Sequence, residues 1–315
     1  MCIAIISTAH PAYSLIVADN RDEFLHRPTA AADWWQTPNQ HVLGSRDLAR
    51  PDQGTWMGVT KQGRIAVLTN YTEQAPIGSA SRGAIVNAFL TQPPTAAAGK
   101  DATRRFVQDL IDSNVTQNVG GFSLVCGRVN EPLALVSNRM ESDPDRIPWI
   151  GTRRGETVAL SNTVYGDRSW RKIVDGERLM NEAIEAHVRA GGKDEDDLIR
   201  RLLDVLSTDT LPRVPGPFDK EKHVGLLRES VFIPMVGDLP DGGVKISNPS
   251  QKNNESDPTG MGQYMSGPYG TQKQTILLVG FDGRVKYFER TLYDQDVKPI
   301  PIGQGDRTFE FMVEE

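Results

Sequence analysis

The chain opens MCIAIIST (1–8), a cysteine directly behind the initiator methionine and then a run of β-forming residues. After a further four positions comes YSLIVA (13–18), a second short and almost wholly apolar run, with HPA (10–12) between them as a proline-containing turn. Two such runs across a tight turn read as an antiparallel hairpin whose second strand is buried on both faces. The polar stretch DNRDEF (19–24) follows, where that strand is expected to end. Antiparallel register returns 19–23 to the neighbourhood of Cys2. Alternation then sends Asn20 and Asp22 to one side and Asp19, Arg21 and Glu23 to the other.

Composition narrows the classes open to such a chain. With 315 residues, 38% of them hydrophobic and 24% charged, it reads as a soluble globular protein. A net charge of −6 and the absence of any basic run of five argue against nucleic acid or an anionic membrane surface as partner. Two cysteines, Cys2 and Cys126, make no disulfide framework and point to a reducing compartment. No basic segment precedes the short apolar start, and the early Asp19, Asp22 and Glu23 do not fit an organellar presequence. No stretch approaches the roughly 18 apolar residues of a membrane span, so a cytoplasmic location is expected.

Beyond 24, RPTAAADWW (27–35) reads as a loop with an exposed tryptophan pair, and 54–70 as a hairpin turning at KQGR. Helices are expected over 79–90, opened by a serine cap, and over 100–114, with Ala102, Phe106, Val107 and Leu110 on one stripe. Strands follow at 120–138 and 156–162, then a long helix over 168–190 and another over 195–206 with DEDD at its positive end. A D-G hairpin at 275–292 and a strand at 307–313 close the chain. The Gly-, Ser-, Asn- and Pro-rich 241–267 reads as a mobile insertion. The order implies one layered α+β domain over 1–315 with largely antiparallel sheets.

There is no nucleophile elbow, phosphate loop or dinucleotide fingerprint. The five histidines are scattered without metal-ligand spacing, so neither a metal nor a cofactor is expected. The distinctive candidate is Cys2. A small residue behind Met1 permits removal of the initiator, which leaves Cys2 with a free α-amine of ordinary pKa about 7.7–8.0. That amine can act as general base for its own thiol, as in N-terminal threonine enzymes. The charges of NRDE beside it can hold the amine and tune the thiol. Asn162, in LSN (160–162) at a strand end, can donate to an oxyanion, and Trp56 can line a pocket for a planar or apolar ligand. The plain alternatives remain beside these: a small strand residue, a solvated strand end, a turn-forming asparagine and a packed tryptophan. Cys126, in FSLVCGR (122–128), reads as a core residue.

MC at the start, NRDEF (20–24), RP (27–28), GTWMGV (54–59), LTNY (68–71), SRG (81–83), GFSLV (121–125), LSN (160–162), W-x-K (170–172) and YGT (269–271) together resemble the NRDE-motif family of transport and Golgi organisation protein 2. That family in turn resembles the N-terminal nucleophile hydrolases, above all the N-terminal-cysteine branch that cleaves bile-salt and penicillin amides. The resemblance implies a four-layer α/β/β/α sandwich, with Cys2 as nucleophile, Asp22 as acceptor of the α-amine and Asn162 as oxyanion donor. Those hydrolases carry an arginine three residues before the aspartate; here Asp19 stands there and Arg21 directly precedes Asp22. Relatives read YGTR where this chain reads YGTQ, with Gln272 followed by Lys273, so Lys273 is expected to substitute in part for an arginine that holds an anionic ligand, without its fork geometry. The family further implies roles in secretory-pathway and Golgi organisation and in haem or acyl-CoA and lipid homeostasis, with Golgi or mitochondrial association. The expected partner is an amphipathic small molecule, haem or acyl-CoA, held by Asn20, Arg21, Glu23, Trp56 and Lys273. The alternative is a working amidohydrolase or thioesterase.

Overall fold

The computed structural model describes residues 1–72, 80–93, 100–140, 146–214, 219–237 and 264–314. The expected insertion at 241–267 lies outside the described residues up to 263.

The opening hairpin forms as β1 (Ile3–Ser7) and β2 (Tyr13–Phe24). β2 does not stop at residue 18; it runs straight through NRDEF, and most of those polar residues are buried. β10 (Thr157–Leu160) flanks β1 on one side, while β11 (Tyr269–Gly280) flanks β2 on the other. β12 (Arg284–Thr291) and β13 (Asp306–Met312) complete a six-stranded antiparallel sheet in the order β10-β1-β2-β11-β12-β13.

The second sheet is a seven-stranded antiparallel meander. Its strands are β3 (Thr29–Trp34), β4 (Val42–Asp47), β5 (Met57–Thr60), β6 (Arg64–Asn70), β7 (Phe122–Arg128), β8 (Leu133–Ser137) and β9 (Trp149–Ile150). RPTAAADWW is therefore largely a strand rather than a loop. Its alanines are poor β-formers, but pairing with β4 carries them. Trp35 is buried, its indole N–H donating to the Gly44 carbonyl at 3.0 Å; Trp34 is half-buried.

Alternation decides what each face meets. Ile6, Leu15, Val17, Met57, Val59 and Leu277 fill the space between the sheets. Ile3, Ile5 and Ile16 face outward onto α3 (Arg171–Arg189) and α4 (Glu195–Leu206) through Ile173, Met180 and Leu202. On the far side, Phe122, Leu124 and Cys126 pack on α1 (Gly83–Leu90) and α2 (Lys100–Asp112). Helices, sheet, sheet, helices: this is the four-layer α/β/β/α sandwich.

Several helix details depart from expectation. α1 starts at Gly83 after Arg82, with no side-chain cap, so the expected serine cap is not used. The buried stripe of α2 is Thr103, Val107 and Leu110. Asp194 does cap α4, accepting from the Asp196 and Asp197 amides. A short α5 (Lys220–Leu227), not anticipated, packs near Phe24 and Tyr269. Among the described residues no helix is long and apolar enough to cross a membrane.

Candidate functional site

Register places the candidate residues side by side. Ile3 pairs with Asn20 and Ala4 with Leu160. Continued outward, the same registers set Cys2 between Arg21 on β2 and Asn162 beyond β10. The Ser161 hydroxyl confirms the second junction by donating to the Cys2 carbonyl at 2.7 Å. Since Ile3 faces the helices, Cys2 faces the space between the sheets, and there it meets a cavity of about 610 Å³. Cys2, Arg21, Asp22, Glu23, Trp56 and Asn162 all line it.

Asp22, on the opposite face of β2 from Arg21, sits in a fully built pocket. Thr271 Oγ1 donates to its Oδ1 at 2.7 Å, and Lys172 Nζ approaches Oδ2 at 3.4 Å. The Met1 α-ammonium is 3.8 Å from Oδ2 and donates to Tyr269 Oη, which itself donates to the Asp22 carbonyl at 2.9 Å. Lys172 Nζ also donates to the Met1 carbonyl at 2.7 Å. With Met1 present, the amine at Asp22 is thus that of Met1. Burial pushes this amine down from its ordinary value, against the pull of Asp22.

Burial also dominates at Cys2, pushing the thiol up to about 11. The nearby amine opposes this, and Asp22 and Asp19 add to it. Its Sγ donates to the Asp22 carbonyl at 3.7 Å. At neutral pH it is a thiol, not a thiolate. Cys126, on the far face of the other sheet, is pushed by burial to about 12 and is a core residue.

Arg21 is held from three directions. One Nη donates to Gln272 Oε1, the other to Asp47 Oδ2 at 3.1 Å, and the guanidinium lies 4.7 Å from the Trp56 ring centroid. Arg27 shares Asp47 at 2.6 Å. Gln272 is fixed in turn, its amide donating to the Leu25 and Arg27 carbonyls at 3.0 and 2.9 Å. It occupies a bulge in β11: Thr271 pairs with Asp22 and Lys273 with Arg21, leaving Gln272 between them unpaired.

Two expected ligand-binding residues lie away from the cavity. Asn20 turns toward the helices, where its amide donates to the Leu206 and Val231 carbonyls at 2.7 and 2.9 Å. It closes the end of α4, which is why a buried strand tolerates it. Lys273 is buried between the sheets, donating to Glu289 at 3.0 Å and Thr291 at 2.8 Å. Its charge is already answered, and it does not take over the arginine's position.

Lys172 and Tyr269 escaped sequence reasoning as site residues. The signal for Lys172 was a lysine on the inward stripe of α3 with Gly176 and Met180. The motifs GTWMG and SRG gain a physical meaning as well. A Cβ on Gly54 meets the Gly83 backbone at 2.7 Å, so two glycines let the start of α1 close one wall of the cavity. Asn70 and Tyr71, at the end of β6, line that cavity too. Among the described residues no group of three His, Cys, Asp or Glu side chains is placed to hold a metal ion.

A model of the family described as Transport and Golgi organisation 2 matches residues 1–294. The chain is 29% identical over 308 residues to the human transport and Golgi organization protein 2 homolog, covering 96% of this chain and 94% of that one. Among solved structures it is similar to a Caenorhabditis elegans ortholog of N-acylethanolamine-hydrolyzing acid amidase, at 15% identity and a TM-score of 0.42 over 76% of this chain and 94% of that one. It is also similar to a mutant conjugated bile acid hydrolase from Clostridium perfringens, at 9% identity and a TM-score of 0.43 over 99% and 97% of the two chains.

Proposed function

We propose that this chain, which belongs to the Transport and Golgi organisation 2 family, works as a single domain that binds an amphipathic small molecule of the haem or acyl-CoA class beside Cys2. The cavity carries this reading. Its volume of about 610 Å³ falls in the range of small-molecule sites, and it sets Phe24, Trp56 and Leu227 against Arg21 and Arg27. Apolar walls suit an acyl chain or a porphyrin face, while arginine forks suit phosphate or propionate oxygens. With Met1 in place the amine at Asp22 belongs to Met1 and Cys2 has no α-amine of its own to serve as base, which weighs toward binding over turnover. Roles in secretory-pathway and Golgi organisation and in haem or lipid homeostasis, with a cytoplasmic location and Golgi or mitochondrial association, follow from this reading through the family.

One observation favours a second reading, a thiol amidohydrolase or thioesterase: Asp22 stands ready at the N-terminal amine. After Met1 is removed, the Cys2 sulfur adds to a carbonyl carbon while its proton passes to the α-amine. Asn162 then donates to the oxyanion, the leaving amine or thiol takes the proton, and water cleaves the acyl-enzyme.

Titration of the full-length protein with palmitoyl-CoA and with hemin, read by tryptophan fluorescence, tests both readings. Saturable binding weakened by Trp56→Ala, without release of free CoA, is the expected result. Absence of saturable binding by either probe overturns the first reading. CoA release that disappears in Cys2→Ala establishes the second.

A further inference from the structure

The inter-sheet face that carries Cys2 also carries an acid the site has not used. Asp19 pairs with Ala4 on β1 and with Thr275 on β11, so it is the diagonal neighbour of Cys2, one step deeper between the sheets. It is only 1% exposed, and neither carboxyl oxygen has a hydrogen-bond partner. Such a group is rare, because an unanswered buried carboxylate is costly.

The groups around Asp19 explain why it stands alone. Arg21, two residues along the same face, is engaged by Asp47, Gln272 and Trp56. Lys273 is bound to Glu289 and Thr291. Across β11, Tyr287 and Glu289 bring no positive charge, and Ser45 from the facing sheet donates to Glu289. Asp22, the other carboxyl near the thiol, has its charge answered by Lys172 and the Met1 ammonium.

We propose that Asp19 is a positioning residue that adds to burial in keeping Cys2 protonated and unreactive, because a charge on either of these two neighbouring buried acids opposes a charge on the other. The two acids share one low-dielectric space, and whichever gives up its proton first holds back the other. Burial and the neighbouring Asp22 push the Asp19 carboxyl well above the usual carboxylate range, so its charge, and with it the opposition to a thiolate, comes in only as the pH rises. A cation at this position would have the opposite sign and favour a thiolate. This role of Asp19 does not depend on which ligand the cavity takes, and its test needs no ligand.

The test is the pH dependence of Cys2 alkylation by iodoacetamide, followed by peptide mass spectrometry so that Cys126 is counted separately. In the native protein the alkylation midpoint lies well above the ordinary thiol value of about 8.5. In Asp19→Asn the midpoint moves down and the rate at pH 8 rises about tenfold, the effect of one pKa unit well below the midpoint. The plateau rate at high pH, which reports access and not ionisation, stays the same in both. Asp19→Glu, which restores the acid, restores the high midpoint. An Asp19→Asn profile superimposable on the native one overturns the proposal. So does a native midpoint near 8.5, a measurement that stands even if the variant fails to fold.

Discussion

Lys172 Nζ stands 3.4 Å from Asp22 Oδ2 while donating to the Met1 carbonyl at 2.7 Å, and neither side chain reaches solvent. One helix residue thus locks both the first residue of the chain and the acid opposite it. Removing one member of a buried ion pair leaves the other uncompensated. Lys172→Met is therefore expected to lower stability by about 3 kcal/mol or more, measured by urea unfolding. Adding Asp22→Asn to it should recover part of that loss, because the carboxylate is then gone and only the Met1 ammonium is left without its ion-pair partner.

Gly83→Ala looks favourable on helix propensity alone. The structure reverses that expectation, since the new Cβ stands 2.9 Å from Gly54 Cα and 3.0 Å from the Thr55 backbone. Both neighbours are main chain and cannot rotate away. Destabilisation of about 1–3 kcal/mol is expected, again from urea midpoints, with weakened palmitoyl-CoA binding as the cavity wall shifts.

Arg21→Lys keeps the charge but loses the fork that reaches Gln272 and Asp47 together. If Arg21 anchors the anionic end of a ligand, palmitoyl-CoA affinity should fall about tenfold, about 1.4 kcal/mol, by fluorescence titration. Unchanged affinity would remove Arg21 from the binding site.

Acid should act on the protein in two steps. Burial, with His187 and Arg154 nearby, pushes His10 down from 6.5 to about 4, so the unfolded chain binds protons first and stability falls as the pH drops from 6.5 toward 4. Below that, Glu195 matters. Burial pushes its carboxyl up, but hydrogen bonds from Arg284, Lys286 and Tyr13 outweigh this and bring it to about 2. Its folded value lies below its unfolded one, so its contribution is complete above about 4.5 and is lost as the pH falls toward 2. Urea midpoints measured from pH 7 to pH 3 should show both declines, and Glu195→Gln should make the lower one shallower.

Much of the architecture could be read from hydrophobic pattern. The opening hairpin, the 54–70 hairpin, α3, α4 and the D-G hairpin of β11 and β12 stand where periodicity put them. The pattern failed where partners lie far away in sequence. β2 continues through NRDE because Leu206, Val231, Thr271 and Asp47 answer its polar side chains, and none of these is local. For the site, alternation correctly divided Asp22 from Arg21 and brought both near Cys2. It could not show that Asn20 closes a helix, that Lys273 is consumed by Glu289, or that Lys172 supplies the buried cation. Each of those outcomes is a contact between elements, to which short-range spacing is blind.

The bulge at Gln272 has a consequence for chain length. In a regular strand Thr271 and Lys273 share a face, yet here Thr271 serves Asp22 on the helix side while Lys273 serves Glu289 between the sheets. One extra residue switches the phase of β11 midway, so a single strand furnishes both layers. Deleting Gln272 would rotate Tyr269 and Thr271 away from Asp22 together, whereas replacing it leaves them in place. At this position the count of residues matters more than their identity: a one-codon deletion is expected to dismantle the N-terminal pocket where most substitutions only loosen it.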